Sequence, residues 1–255
     1  MFHVHELDSL PCDFHRSKTS PPGGERPLYF ASDLHLGDGG PADDFAEGEH
    51  RAAFEWFLDH EVEAEGGELI LVGDVFEIWQ CHLGRIRERY GSFFWRLLNY
   101  RLLRGNHDSA LRKPLEWRWP RGRPPLVLAE HGHQADPLNS SLGFVGRTVT
   151  AVAGALERLG WRDVDQKTWR WKWMPTPVTR PDRFPPDHYA KYARRRARET
   201  GARIVVLGHT HKPTLTRLGD GTLYADCGCW VSRDYPGSFV RLGEGEVSLA
   251  QVLSH

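Results

Sequence analysis

Aspartate, histidine and asparagine recur in four short blocks: Asp33-Leu34-His35, Gly73-Asp74-Val75-Phe76-Glu77, Gly105-Asn106-His107-Asp108 and Gly208-His209-Thr210-His211. Their carboxylate, imidazole and amide groups are donors that borderline divalent transition metals accept. Each block lies beside a glycine or directly after an apolar run, where a strand would end. Alone, D-L-H or G-D reads as a strand-end turn, and G-N-H-D as an Asx-type turn with a cap. Four such blocks in one chain read together as the ligands of a metal centre.

The elements that must carry these blocks follow from the apolar runs. Leu28-Tyr29-Phe30-Ala31 leads to Asp33 and His35, and Glu68-Leu69-Ile70-Leu71-Val72 leads to Asp74. Between them, Ala53, Phe54, Phe57, Leu58 and Val62 fall at helical spacing over residues 49–63. A β-α-β unit with a right-handed crossover and a parallel strand pair is therefore expected. Leu126-Val127-Leu128-Ala129 precedes His131, and Arg203-Ile204-Val205-Val206-Leu207 precedes His209, which adds two more strands ending at donors. Loops at the carboxyl ends of parallel strands converge on one crevice, so the four ends can meet. Short β-like runs at residues 214–218, 222–225, 238–242 and 246–252 predict a second, more antiparallel sheet. The class is α/β.

Residues 1–26, with Pro11, Pro21, Pro22, Gly23 and Gly24, read as a loosely ordered N-terminal extension, and the folded domain is expected over 27–255. Residues 134–202 differ in character and read as an inserted helical cap. Val145, Val149, Val152, Leu156 and Leu159 share a helical face, Trp161, Trp169, Trp171 and Trp173 follow, and 191–198 is a basic helix-like run.

Composition bounds the rest. The 255 residues are 40% hydrophobic and 26% charged, close to soluble globular averages, and no apolar run reaches the roughly 20 residues of a membrane helix. Residues 1–18 contain no continuous apolar stretch of the signal-peptide kind, and a cytoplasmic location is expected. With 33 basic and 34 acidic residues the formal charge is −1, which gives no global attraction to nucleic acid or acidic membranes, and membrane contact is expected to be peripheral at most. Cys12 and Cys81 stand alone, and Cys227 and Cys229 form a C-x-C without the second pair of a structural zinc site. They read as reduced thiols.

In order and type the blocks resemble the calcineurin-like metallophosphoesterase superfamily, whose pattern is D-x-H, G-D-x-x-[DE], G-N-H-[DE], a lone His and G-H-x-H. That resemblance implies a two-sheet fold flanked by helices, with two divalent metals, often Mn²⁺, between the sheets. It also implies hydrolysis of a phosphodiester or pyrophosphate bond by a hydroxide bridging the two ions. By the same resemblance Asp33, His35, Asp74 and His211 hold one metal, while Asp74, Asn106, His131 and His209 hold the other. His131 competes with His133 for the lone-histidine position and is preferred because it follows its strand directly. His107 is the candidate to protonate the leaving oxygen, with Asp108 orienting it, and Glu77 could fix a neighbouring imidazole. Arg194, Arg195 and Arg198 are candidates for substrate phosphate, against the alternative of a solvated helix face.

The stretch G-D-V-F-E-I-W at 73–79 and the helical insertion resemble the UDP-2,3-diacylglucosamine pyrophosphatase branch, implying a nucleotide or lipid-conjugate substrate. The chain departs from that branch at His107, where those enzymes have Arg, and at Gly132-His133-Gln134, where theirs begins G-D. The superfamily's N-x-G-x-W appears here as Asp226-Cys227-Gly228-Cys229-Trp230. Two other readings stand beside this one: a nucleic-acid or cyclic-nucleotide phosphodiesterase using the basic run at 191–198, and a non-catalytic metal-binding scaffold.

Overall fold

The computed structural model describes residues 1–12, 26–40, 43–46, 49–120, 125–136, 187–231 and 237–254. The apolar helix and tryptophan cluster expected within 137–186 lie outside them.

Two mixed sheets face each other. The first has the order β1 (Phe2–Pro11), β11 (Glu246–Ser254), β10 (Ser238–Gly243), β2 (Leu28–Ala31), β3 (Glu68–Leu71), β4 (Arg101–Leu102). The second has the order β5 (Glu116–Trp119), β6 (Val127–Glu130), β7 (Ile204–Leu207), β9 (Leu223–Asp226), β8 (Thr214–Arg217). Each holds a parallel run, β2-β3-β4 in one and β6-β7-β9 in the other; antiparallel strands flank the second on both sides and the first on one, with β4 forming the opposite edge.

The strand period of two sorts the apolar side chains into layers. Leu28, Phe30, Ile70 and Val72 face Val127, Ala129, Ile204, Val206 and Ala225 in a core between the sheets. Tyr29, Ala31, Leu69 and Leu71 point outward and are covered by α1 (His50–Phe57), α2 (Leu83–Tyr90) and α3 (Ser92–Leu98). On the far face Leu128, Val205 and Leu207 meet Tyr189, Tyr192, Ala193 and Ala197 of α4 (His188–Thr200). The helix expected over 49–63 is α1 followed by a π-helical segment, Leu58–Glu63.

Three expectations are corrected. Residues 2–11 of the supposed extension form β1, which pairs antiparallel with β11 along its length through one bulge near Glu6 and Asp8. The four late runs do not share a sheet: β8 and β9 join β6 and β7, whereas β10 and β11 join β2. Apolar patterning gives each strand's faces but not its partners, so a strand far along the chain can insert beside an early one. The basic run at 191–198, placed within the cap, belongs to α4, which lies on the second sheet as part of the body.

Candidate metal centre

The donor loops leave the carboxyl ends of the parallel strands of both sheets, and backbone bonds zip them together beyond the strands. Asp33 N donates to Gly73 O, His35 N to Asp74 O, and Leu36 N to Val75 O, extending the β2-β3 register past its last paired residues. Gly208 N donates to His131 O, and Trp230 N to Asp33 O, which tie in the second sheet.

Among the described residues six non-glycine residues have positive φ, and five are predicted ligands: Asp33, His35, Asp74, His209 and His211. This region is sparsely occupied by L residues and is held where the surroundings over-determine it, commonly at functional sites. Glycine enables the close approach at one point in particular, since a Cβ on Gly105 would fall on the Asp74 carboxylate.

Two of the three groups of converging donors among the described residues contain an aspartate: Asp33, His35 and His211 form one, and Asp74, His131 and His209 the other; the third, His35, Glu77 and His107, shares His35 with the first, and the donor atoms of each lie within 4.8 Å of one another. Asp33 Oδ1 stands 3.3 Å from His211 Nε2 and 3.6 Å from His35 Nε2, while Oδ2 accepts from His209 N at 2.9 Å. Asp74 Oδ2 stands 3.0 Å from His131 Nε2, and its Oδ1 accepts from His107 N at 2.8 Å. Asn106 Oδ1 lies 3.1 Å from the same His131 nitrogen, joining the second group.

The outer contacts orient these rings. His131 Nδ1 donates to Val72 O at 2.8 Å, which leaves Nε2 to face Asp74 and Asn106. Glu77 Oε2 accepts from His35 Nδ1 at 3.1 Å and from His107 Nδ1 at 2.6 Å, so one carboxylate holds a predicted ligand and the predicted proton donor together. His211 contacts the buried thiol of Cys229, a partner its sequence neighbourhood did not announce.

The electrostatics suit a cation. Burial opposes ionisation of Asp74, but the charges of His131 and His107 outweigh it and hold the carboxyl well below its usual range. Asp33 is lowered likewise, burial being overcome by His131 and His211. Burial disfavours charge on His131, yet Asp74 and Asp33 raise it to about 9; His211, also buried, is raised to about 10 by Cys229 and Asp33. Burial and the charge of His131 push His209 down. Asp33 Oδ1 and His35 Nε2 are buried with no hydrogen-bond partner. Orphaned donor atoms beside ionised carboxylates fit divalent ions.

Some expected roles change. Asp108 does not orient His107: its Oδ1 accepts from Gly105 N at 2.7 Å and its Oδ2 from Val75 N at 3.0 Å. It braces the two ligand loops, and Glu77 takes the orienting role. Arg194, Arg195 and Arg198 are not brought to the site. Arg194 and Arg198 pair with Asp220, at the end of β8 away from His211, and Arg195 pairs with Glu199 along its own helix. Charge pattern on a helix gives the basic face but not its neighbours. The His133 ring lies 5.5 Å from that of His131 and 6.4 Å from that of His209, and burial followed by the charge of His131 pushes it down to about 3. Asp226 Oδ1 accepts from Gly228 N at 2.9 Å, a turn bond that an Asn would also make.

A family model described as calcineurin-like phosphoesterase matches residues 26–213. The chain belongs to that family. None of the curated proteins matches this calcineurin-like phosphoesterase. Among solved structures it is similar to a predicted phosphoesterase from Streptococcus pneumoniae TIGR4, at 15% identity over 86% of this chain and 84% of that one, TM-score 0.41. It is similar to a dimetal phosphatase from Danio rerio, at 11% identity over 87% and 94%, TM-score 0.41. A third is Vps29 complexed with zinc from Entamoeba histolytica, at 15% identity over 88% and 89%, TM-score 0.44.

Proposed function

We propose that this calcineurin-like phosphoesterase hydrolyses a phosphodiester or pyrophosphate bond with two divalent metals, manganese being the ion to try first. The observation that carries the reading is the convergence of the two donor groups beside His107. Asp33, His35 and His211 would hold one ion, Asn106, His131 and His209 the other, with Asp74 between them. Bound there, such ions would polarise a phosphoryl oxygen and lower the pKa of water.

The chain's own residues supply orientation and a proton. Val72 O and Glu77 fix the tautomers of His131 and His35, so that Nε2 of each faces the centre. Glu77 occupies Nδ1 of His107, leaving Nε2 to meet a leaving oxygen. A poor alkoxide or phosphate leaving group gains from protonation as its bond breaks. This favours a nucleotide or lipid conjugate over the scaffold reading, which has no use for a held imidazole. UDP-2,3-diacylglucosamine is the specific substrate proposed for test, on the strength of the G-D-V-F-E-I-W stretch. Pairing of Arg194, Arg195 and Arg198 with acids supports a small conjugate over nucleic acid.

Protein reconstituted with Mn²⁺ is expected to hydrolyse bis(p-nitrophenyl) phosphate, and Asp74→Ala to lower the rate at least about a hundredfold. Activity surviving both EDTA and that substitution would overturn the two-metal reading. A panel of UDP-2,3-diacylglucosamine, cyclic nucleotides and single-stranded DNA then separates the substrate classes.

A further inference from the structure

Trp79 is 8% exposed, yet among the described residues it belongs to none of the three apolar cores. Its indole lies on the imidazole of His107, ring centroids 4.1 Å apart and planes 23° from parallel. On another side the His35 ring meets His107 edge to face, at 4.7 Å and 87°. The hydrogen bond from His107 Nδ1 to Glu77 fixes one atom of the ring but leaves its plane free to turn about that contact. A stacked aromatic face removes that freedom, because tilting the imidazole forfeits the dispersion contact over its whole area.

We propose that Trp79 is a positioning residue for leaving-group protonation, setting the plane of His107 so that Nε2 points at the leaving oxygen. The inference rests on the role of His107 given above. Glu77 defines which nitrogen is free and Trp79 defines where it points. Proton delivery depends on alignment as well as distance, and a ring rocking out of line would still hold its hydrogen bond while missing its target.

The test compares wild type, Trp79→Leu, Trp79→Phe and His107→Asn, each loaded with Mn²⁺, on bis(p-nitrophenyl) phosphate and on diphenyl phosphate, whose leaving phenolate is more basic. Trp79→Leu is expected to lower kcat on diphenyl phosphate about tenfold more than on the nitrophenyl ester, a fraction of a general acid's usual contribution. Trp79→Phe should restore part of the loss, and metal content by mass spectrometry should stay at the wild-type value. In zinc-loaded protein, the His107 ring protons, assigned by their absence in His107→Asn, should move downfield in Trp79→Leu as the indole ring current is lost. Equal losses on both esters, or unmoved ring signals, would overturn the inference if His107→Asn shows the selective loss. If His107→Asn shows no selectivity, the protonation role itself fails, and the positioning role with it.

Discussion

The protons on His131 and His211 occupy the place of the cations. Both imidazoles are raised, to about 9 and about 10, by the carboxylates and thiol around them, so near pH 7 the metal-free centre holds protons on nitrogens that metals would need. Metals bind the neutral imidazole, so each bound ion must displace protons. Below the raised pKa values, affinity should therefore climb with pH. Calorimetric titration of Mn²⁺ at pH 7.5 in buffers of different ionisation enthalpy should report net proton release. Release of no protons would show that these nitrogens are not ligands. At this scale residue types point to candidate donors, because ligand chemistry resides in them, and the fold brings Asp33, His35 and His211 together and Asp74, Asn106, His131 and His209 together. It misassigned Asp108, which braces Gly105 and Val75, since an acid next to His107 in sequence need not touch it in space.

A single strand end carries little information about the site until its loop is locked to the next. Residues 73–77 are held against 33–36 by backbone bonds, and 105–108 against Asp74 by the Gly105 approach. Gly105→Ala would place a methyl group on the Asp74 carboxylate, pushing apart loops that both donor groups use. Activity is expected to fall about a hundredfold, the usual consequence of ångström-scale misplacement, with metal stoichiometry by mass spectrometry falling below the wild-type value. Wild-type activity in this variant would show that the loops yield without loss. The strands at 28–31, 68–71, 127–130 and 204–207 were legible because each is a short apolar run ahead of a donor. β1 was not, since a half-buried edge strand mixing His3, His5, Glu6 and Asp8 with apolar residues resembles an unstructured segment until β11 is seen beside it.

Across the molecule, α4 connects the outer face of the second sheet to the candidate ligand His131. Arg196 binds Glu130 through Nε at 3.0 Å and Glu116 through its terminal nitrogen at 2.7 Å, and Glu130 immediately precedes His131. Arg196→Ala would strand a buried carboxylate, at a cost of about 2–4 kcal/mol, read as a lower chemical-denaturation midpoint. Arg194→Ala with Arg198→Ala removes exposed pairs and should change stability by no more than about 1 kcal/mol and leave phosphoesterase activity intact. A large activity loss in that double variant would return the arginines to the substrate. The sequence by itself determined the candidate donor types, the parallel units that carry them and the family, because each depends on local order: a donor, a glycine, an apolar run. Only the tertiary structure decided that β10 and β11 join the first sheet, that Glu77 holds both His35 and His107, and that Arg194, Arg195 and Arg198 pair with Asp220 and Glu199. Those depend on which surfaces meet, and contacts between distant segments are chosen by the packing of the whole chain.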